Sequence, residues 1–387
     1  MSALPKADIP RSESAPDKIR VMIVDDAVVV RGLLSRWLSE TDDIEVVHTA
    51  RNGKLAVDAL DRFDPHVVVL DIEMPEMDGL TALPLILKKK PGVQVIMAST
   101  LTTRNAEISL KALSLGARDY LPKPEGNHKV TTAADFHREL VEKVRALGRR
   151  HVAFRRARTA QPAPVRAVAS TAAAPVAHAA GHGQISLRRV QPTRPRILAI
   201  GSSTGGPQAL LTVLPEIAAA AHNVPIVLTQ HMPPNFTAIL AQHISRATGL
   251  TAKEGEDGEL LKPGTVYVAP GGRHMTVAGT SAAPTISLND GPQVNFCKPA
   301  VDPLFQSVSK VFGAAVLAIV LTGMGHDGGK GSVGIADAGG NVIAQDEASS
   351  VVWGMPAAVA QMGAACAVLP LTAIGQKVSR LIRGETA

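Results

Sequence analysis

His66-Val-Val-Val-Leu-Asp71 decides the fold of the first half of this chain: an unbroken apolar run that ends on a carboxylate. A short run without alternating polarity belongs to a strand buried on both faces. Upstream, Arg20-Val-Met-Ile-Val24 and Glu45-Val-Val-His48 repeat the pattern. Downstream, Val93-Gln-Val-Ile-Met97 and Arg118-Asp-Tyr-Leu121 do so again. Helical patterns fill residues 28–40, 53–62, 79–89 and 104–115, then 131–147. Short apolar strands alternating with helices predict an α/β unit with a parallel sheet covered on both faces. Lys88-Lys89-Lys90-Pro91-Gly92 closes the third helix, with cations at its negative pole followed by a stop.

A second and larger α/β unit is read from residue 196 onward. Strands are predicted at 197–200, 225–229, 265–269 and 316–322, helices at 207–221, 236–248, 303–312 and 328–338, and a hairpin at 276–288. The expected arrangement is doubly wound and mostly parallel. Residues 151–195 are rich in Ala, Pro and Arg and poor in large aliphatics, too little apolar surface to offset ordering entropy, and read as a flexible linker. The division is therefore a disordered tail at 1–17, units at 18–150 and 196–387, and the linker between them. Residues 151–196 hold eight arginines and no acid, more than the whole net charge of +6. The basic balance sits in the linker and gives no reason to expect a nucleic-acid partner. Two cysteines, Cys297 and Cys366, make no disulfide scaffold. The longest apolar run, 314–321, is far short of the roughly 20 residues of a membrane span. Residues 1–18 lack the apolar core of a secretory signal. A soluble, cytoplasmic chain without membrane insertion is expected.

Ligands of open α/β sheets gather beyond the carboxyl ends of the strands. In the first unit those ends carry Asp25 and Asp26, Asp71, Ser99 with Thr100, and Lys123. Strands about 4.8 Å apart bring the carboxylates into one crevice, where their repulsion asks for a cation. Oxygen-only donors suit Mg²⁺. Such a crevice can accept a phosphoryl group, with Asp71 as nucleophile, Lys123 and the cation neutralising its oxygens, and Ser99 hydrogen-bonding the product. Singly, Asp25 and Asp26 read as helix caps and Lys123 as a surface pair; their common placement favours the joint role.

Val24-Asp-Asp26, Leu70-Asp-Ile-Glu-Met-Pro75 with Met77-Asp-Gly79, Ser99 and Lys123-Pro124 resemble the receiver domain of two-component response regulators, over about residues 19–140. The resemblance implies a (βα)5 flavodoxin-like fold and phosphorylation of Asp71 by a histidine kinase. It further implies Mg²⁺ held by Asp26, Asp71 and the backbone carbonyl of Glu73, with Asp25 acting through water. Ser99 and Tyr120 stand at the family's switch positions, although helix-face packing is the plainer role of Tyr120.

In the second unit, Gly201-Ser-Ser-Thr-Gly205 follows a strand and opens a helix, with Ser203 at the centre of a Gly-x-Ser-x-Gly pattern. Small residues allow a tight turn that exposes one hydroxyl beside helix N–H groups. The pattern alone fits equally a helix-capping turn or a phosphate cradle. Two further strand ends carry Gln230-His231 and Thr322-Gly-Met-Gly-His-Asp327. A serine needs a base, and the base an orienting acid, so Ser203, His231 and Asp327 form a candidate trio. His326, His243 and His274 are rivals for the base. The order Ser…His…Asp differs from that of α/β-hydrolases. Gly328-Gly-Lys-Gly-Ser332 fails as a phosphate-binding loop because Met324 stands where its first glycine is required.

Ile200-Gly-Ser-Ser-Thr-Gly-Gly206, Thr229-Gln-His-Met-Pro-Pro234, Tyr267-Val-Ala-Pro270, Leu321-Thr-Gly-Met-Gly-His-Asp-Gly328 and Ala344-Gln-Asp-Glu-Ala-Ser349 closely resemble the catalytic domain of chemotaxis protein-glutamate methylesterases, the CheB family, from about residue 196 to 382. The resemblance implies Ser203 as nucleophile, His231 as general base, Asp327 as its orienting acid, and backbone N–H groups of Thr204 and Met324 as the oxyanion hole, with no cofactor at this site. It implies a hydrolase acting on glutamate methyl esters, and on certain glutamines, of methyl-accepting chemoreceptors, with a chemotaxis histidine kinase as phosphodonor. A DNA-binding response regulator and a non-catalytic scaffold with an esterase-like fold are the competing readings. The first lacks a recognisable recognition-helix module.

Overall fold

The structure, a computed structural model, describes residues 18–100, 102–123, 133–159 and 185–385. The expected tail at 1–17, Pro124, and the linker between 160 and 184 lie outside the described residues.

The first unit runs β1 (Ile19–Val24), α1 (Val28–Ser39), β2 (Ile44–Ala50), α2 (Gly53–Phe63), β3 (Val67–Asp71), α3 (Gly79–Lys89), β4 (Gln94–Ser99), α4 (Thr103–Ser114), β5 (Asp119–Pro122) and α5 (Ala133–Thr159). Its strands are parallel and ordered β2-β1-β3-β4-β5. All five residues of β3 are buried, as a strand covered on both faces requires. Local chemistry starts the helices: Asn52 accepts from the Leu55 N–H at 2.9 Å to cap α2, and Asp78 from the Thr81 N–H at 2.7 Å to cap α3. The chain leaves β1 toward one edge and returns to β3 on its other side, so the loops after β1 and β3 diverge and open a crevice.

The second unit runs β6 (Ile197–Ser202), α6 (Gly206–Ala221), β7 (Ile226–Gln230), α7 (Phe236–Thr248), β8 (Thr251–Glu254), β9 (Thr265–Val268), β10 (His274–Thr280), β11 (Ala283–Asn289), α8 (Val301–Phe312), β12 (Val316–Val320), α9 (Gly329–Asp337), β13 (Asn341–Gln345), α10 (Met355–Gln361), β14 (Ala367–Leu369) and α11 (Leu371–Arg383). Seven parallel strands lie in the order β14-β13-β12-β6-β7-β9-β8, and β10 with β11 form a separate antiparallel hairpin. Here the direction of winding reverses between β6 and β12, so the turns after those strands part. At the turn after β6, Gly205 takes φ 76°, a left-handed conformation that L side chains adopt at a cost. A Cβ on Gly206 would collide with Gln230 and Ser202.

At both edges of the expected linker the described chain departs from the sequence reading. Helix α5 continues to Thr159, and residues 185–195 lie along the second unit. Arg188 donates its backbone N–H to the Ala365 carbonyl at 2.9 Å. The Gln191 backbone exchanges hydrogen bonds with the amide of buried Asn341, at 2.8 and 3.0 Å.

The two units share one apolar core. Helix α4 rests on α6 and α7, and the Tyr120 ring stacks on Phe236 at 4.6 Å and 13°. Tyr120, expected at a switch position or packed against a helix face, is buried between the units against α7. The Gln208 amide donates to the Leu113 carbonyl, and to that of Ala117 at 3.0 Å.

Candidate active site

In the crevice of the first unit, the Lys123 ammonium lies 2.6 Å from Asp25 and 2.7 Å from Asp71. Oxygens of Asp25, Asp26 and Asp71 all fall within 4.8 Å of one another. Burial lifts the Asp71 carboxyl to about 6, with Lys123 opposing and Asp25 adding to the rise. Crowded oxygen donors with incomplete charge compensation fit a hard divalent cation. Asp26 and Glu73 border one opening beside the end of β3, together with Ile72. Ser99 is buried at the end of β4, its hydroxyl 3.0 Å from that of Ser109 on α4.

The opening beside β6 and β12 is a cleft of about 320 Å³, bordered by Ser203, Thr204, His231, Met324 and Asp327. The topology alone explains this meeting: β6, β7 and β12 are consecutive in the sheet, and each proposed side chain follows one of their carboxyl ends. The Ser203 turn is tied at both ends. Its N–H donates to the Thr322 carbonyl at 3.0 Å, and its carbonyl accepts from Gly206 N–H at 2.7 Å and the Gln230 amide at 3.0 Å. Neither the Thr204 nor the Met324 N–H donates to another backbone carbonyl among the described residues.

His231 Nε2 and Asp327 Oδ2 are 2.8 Å apart. Asp327 also accepts from Asn295 at 2.9 Å and from the N–H groups of Val301 and Asp302, at 2.5 and 3.1 Å, in the positive first turn of α8. Burial alone would raise this carboxyl; the His231 bond, its charge and the donors of Val301 and Asn295 hold it down at about 2. For His231 burial works against the charged ring, and the Cys297 sulfur with Asp327 overrides it, lifting the imidazole to about 10. Among the described residues no hydrogen bond joins the Ser203 hydroxyl to His231. The ring's second nitrogen, Nδ1, faces Cys297 Sγ at 3.3 Å.

The rival histidines separate by environment. His274 is buried and ties down a loop, bonding the Pro292 carbonyl at 2.9 Å and accepting from the Ala300 N–H at 3.2 Å. His243 is half-buried on α7, and His326 is exposed at the mouth of the cleft. Sequence reasoning did not single out Asn295, Cys297 or Asp302. They arrive on the loop before α8 and its first turn, where no strand end marks them.

The receiver-like unit covers this cleft. Asp119, Tyr120 and Arg138 contribute to its wall, and Arg138 lies over the Phe296 ring at 4.5 Å. Thr204 Oγ1 donates to Asp119 Oδ2 at 2.7 Å, and that carboxylate pairs with buried Lys143 at 3.1 Å. Burial works against the Lys143 charge, but Asp119 and Glu139 keep its ammonium above its ordinary range.

Residues 198–378 match the family model described as CheB methylesterase, and residues 21–135 that of the response regulator receiver domain. The chain is 54% identical over 372 residues, 95% of each chain, to the protein-glutamate methylesterase/protein-glutamine glutaminase of Rhodopseudomonas palustris strain HaA2. It is 54% identical over 376 residues, again 95% of each, to the group 2 operon protein of that name from Bradyrhizobium diazoefficiens. The crystal structure of the Thermotoga maritima CheB methylesterase catalytic domain covers 49% of this chain and 100% of its own, at 40% identity and a TM-score of 0.47.

Proposed function

The chain belongs to the protein-glutamate methylesterase/protein-glutamine glutaminase family, and from that premise we propose that Ser203, His231 and Asp327 carry out the hydrolysis. The enzyme demethylates glutamate methyl esters and deamidates glutamines as a response regulator of chemotaxis. Its substrates are methylated chemoreceptors. In the neutral form of His231, whose Nε2–H is engaged by Asp327, Nδ1 takes the proton of the Ser203 hydroxyl as it attacks the ester carbonyl; with the ring held up at about 10, this step gains as pH rises toward 10. The Ser203 hydroxyl takes the place at Nδ1 that Cys297 Sγ holds at 3.3 Å. The N–H groups of Thr204 and Met324 receive the oxyanion, a contribution of about 2.7–4 kcal/mol per donor in comparable sites. His231 then protonates the departing methanol, or ammonia from glutamine, and water completes the hydrolysis. The observation that carries the reading is the 2.8 Å pair of His231 and Asp327 in the cleft that Ser203 borders.

In the first unit Asp71 accepts the phosphoryl group from a chemotaxis histidine kinase. Asp26, Asp71 and the Glu73 carbonyl would hold Mg²⁺, with Asp25 through water. Bound there, the ion supplies charge neutralisation for phosphoryl transfer. Phosphorylation loosens the α4–β5–α5 face from the catalytic cleft and so raises activity. Methanol release from methylated receptor membranes tests the reading. Ser203→Ala should abolish it, and wild-type rates in that variant would exclude Ser203 as nucleophile.

A further inference from the structure

Both nitrogens of His231 are engaged, and the group on Nδ1 is a thiol. We propose that Cys297 is a modification site for hydroperoxides, and that its oxidation blocks the base needed by Ser203 and so switches the hydrolase off. The proposal rests on the reading of His231 as that base. Cys297 does not stand alone: thiol, imidazole and carboxylate follow one another at 3.3 and 2.8 Å, the arrangement by which a histidine activates a sulfur nucleophile.

Three features hold the sulfur in place. Asp327 anchors the far side of the ring and is itself fixed by Asn295 and the start of α8, so Nδ1 stays directed into the cleft. Asn295 and Phe296 both take left-handed backbone, φ 52° and 63°, conformations that residues with a Cβ rarely adopt. Reciprocal bonds between Val294 and Cys297, at 3.1 and 2.9 Å, close the turn that delivers the thiol. Cys297 is only partly buried and borders a cleft of about 320 Å³, ample for a peroxide of two heavy atoms. The other thiol, Cys366, is buried, and that burial pushes it up from its ordinary range.

The chemistry balances. Sulfur attacks one peroxide oxygen while the thiol proton moves to Nδ1; an S–O bond forms and the O–O bond breaks. The departing hydroxide takes the proton from His231 and leaves as water. Sulfur loses two electrons, the peroxide gains them, and the product is a sulfenic acid. Its added oxygen occupies the space that the Ser203 hydroxyl needs at Nδ1.

Full-length protein is treated with hydrogen peroxide, assayed for methanol release, and digested for mass spectrometry. Wild type should lose activity by about tenfold or more, recover it with dithiothreitol, and carry one added oxygen on Cys297 but not on Cys366. In Cys297→Ala the ratio of treated to untreated activity should stay near one, whatever its untreated rate. Equal losses in wild type and variant overturn the proposal. So does oxidation confined to Cys366 or to Met232 and Met324 of the cleft, which dithiothreitol does not restore as methionines. Site assignment on the wild type decides the matter even where the variant fails to fold. An active Ser203→Ala protein would refute the serine reading, and oxidation of Cys297 would still be read separately by mass.

Discussion

Replacing Gln208 with alanine should switch on the unphosphorylated enzyme. The Gln208 amide crosses from α6 to the carbonyls of Leu113 and Ala117 at the end of α4, so it holds the two units together without entering the cleft. Each such bond contributes about 0.5–1.5 kcal/mol, and losing both weakens the covered state by about 1–3 kcal/mol. Where the covered state dominates, the uncovered fraction, and with it the basal rate, rises by about 5- to 150-fold. Gln208 is only partly buried and caps nothing in its own helix, so thermal unfolding of the catalytic unit should hardly move. The assay is methanol release from methylated receptor membranes, in an Asp71→Asn background that removes phosphorylation as a variable. A basal rate equal to that of the parent, with both proteins folded, would refute the idea that this interface restrains the catalytic cleft.

Asp71→Asn should abolish stimulation by a small phosphodonor with Mg²⁺ while leaving the basal rate within about twofold, since the substitution keeps shape and removes the nucleophile; rate assays with and without donor check it. A fragment beginning at Ile185 should melt higher than one beginning at Arg196. Truncation leaves the buried Asn341 amide without Gln191, a loss of about 1–3 kcal/mol, or roughly 3–10 °C by calorimetry for a domain of this size. His231, held up at about 10, contributes stability that is complete below its unfolded value near 6.5 and is lost as pH rises through 10. The urea midpoint of wild type should therefore fall between pH 6.5 and 10, and that of His231→Gln should fall less; parallel curves would show that His231 is not the group responsible.

The first unit was legible because β3, β4 and β5 are wholly buried and β1 nearly so. The apolar run at 66–70 became β3 (Val67–Asp71), and the carboxylate that ends it sits where the loops diverge. Strands lacking such a run were not read. β8 is a polar edge, Thr251-Ala-Lys-Glu254, and β14 has three half-buried residues at the other edge. β13 is wholly buried, yet Asn341 and Gln345 close it at each end because their amides serve as hydrogen-bond partners inside the fold, leaving three apolar residues to signal a strand. Helix α11 does bury Ile374, Val378, Leu381 and Ile382 at helical spacing, but it opens without a side-chain cap. At this cleft, Ser203, His231 and Asp327 follow strand ends, to which the sequence points, whereas Asn295 and Cys297 lie on a loop that no strand end marks. Cys297 reaches His231 through two left-handed residues, and no periodicity announces a loop path of that kind.

A short strand joins the two sites. β5 carries Asp119 at its start, where the carboxylate accepts from Thr204 in the Ser203 turn. Lys123, just past its end, bridges Asp25 and Asp71. Four steps of about 3.3 Å separate the two residues, a span of about 13 Å, and every residue of the strand is buried. Tyr120 lies between them with its ring on Phe236, so the same strand also carries part of the contact between the units. A phosphoryl group on Asp71 adds oxygens that compete for the Lys123 ammonium, and a shift of Lys123 meets a strand packed too tightly to absorb it locally. The change should then be expressed at Asp119, which holds the proposed oxyanion-hole residue Thr204, and at Tyr120 against Phe236. Coupling along this route needs Lys123 at one end and the Thr204–Asp119 bond at the other. Gln208, one helix away, tests the strength of the cover without disturbing either.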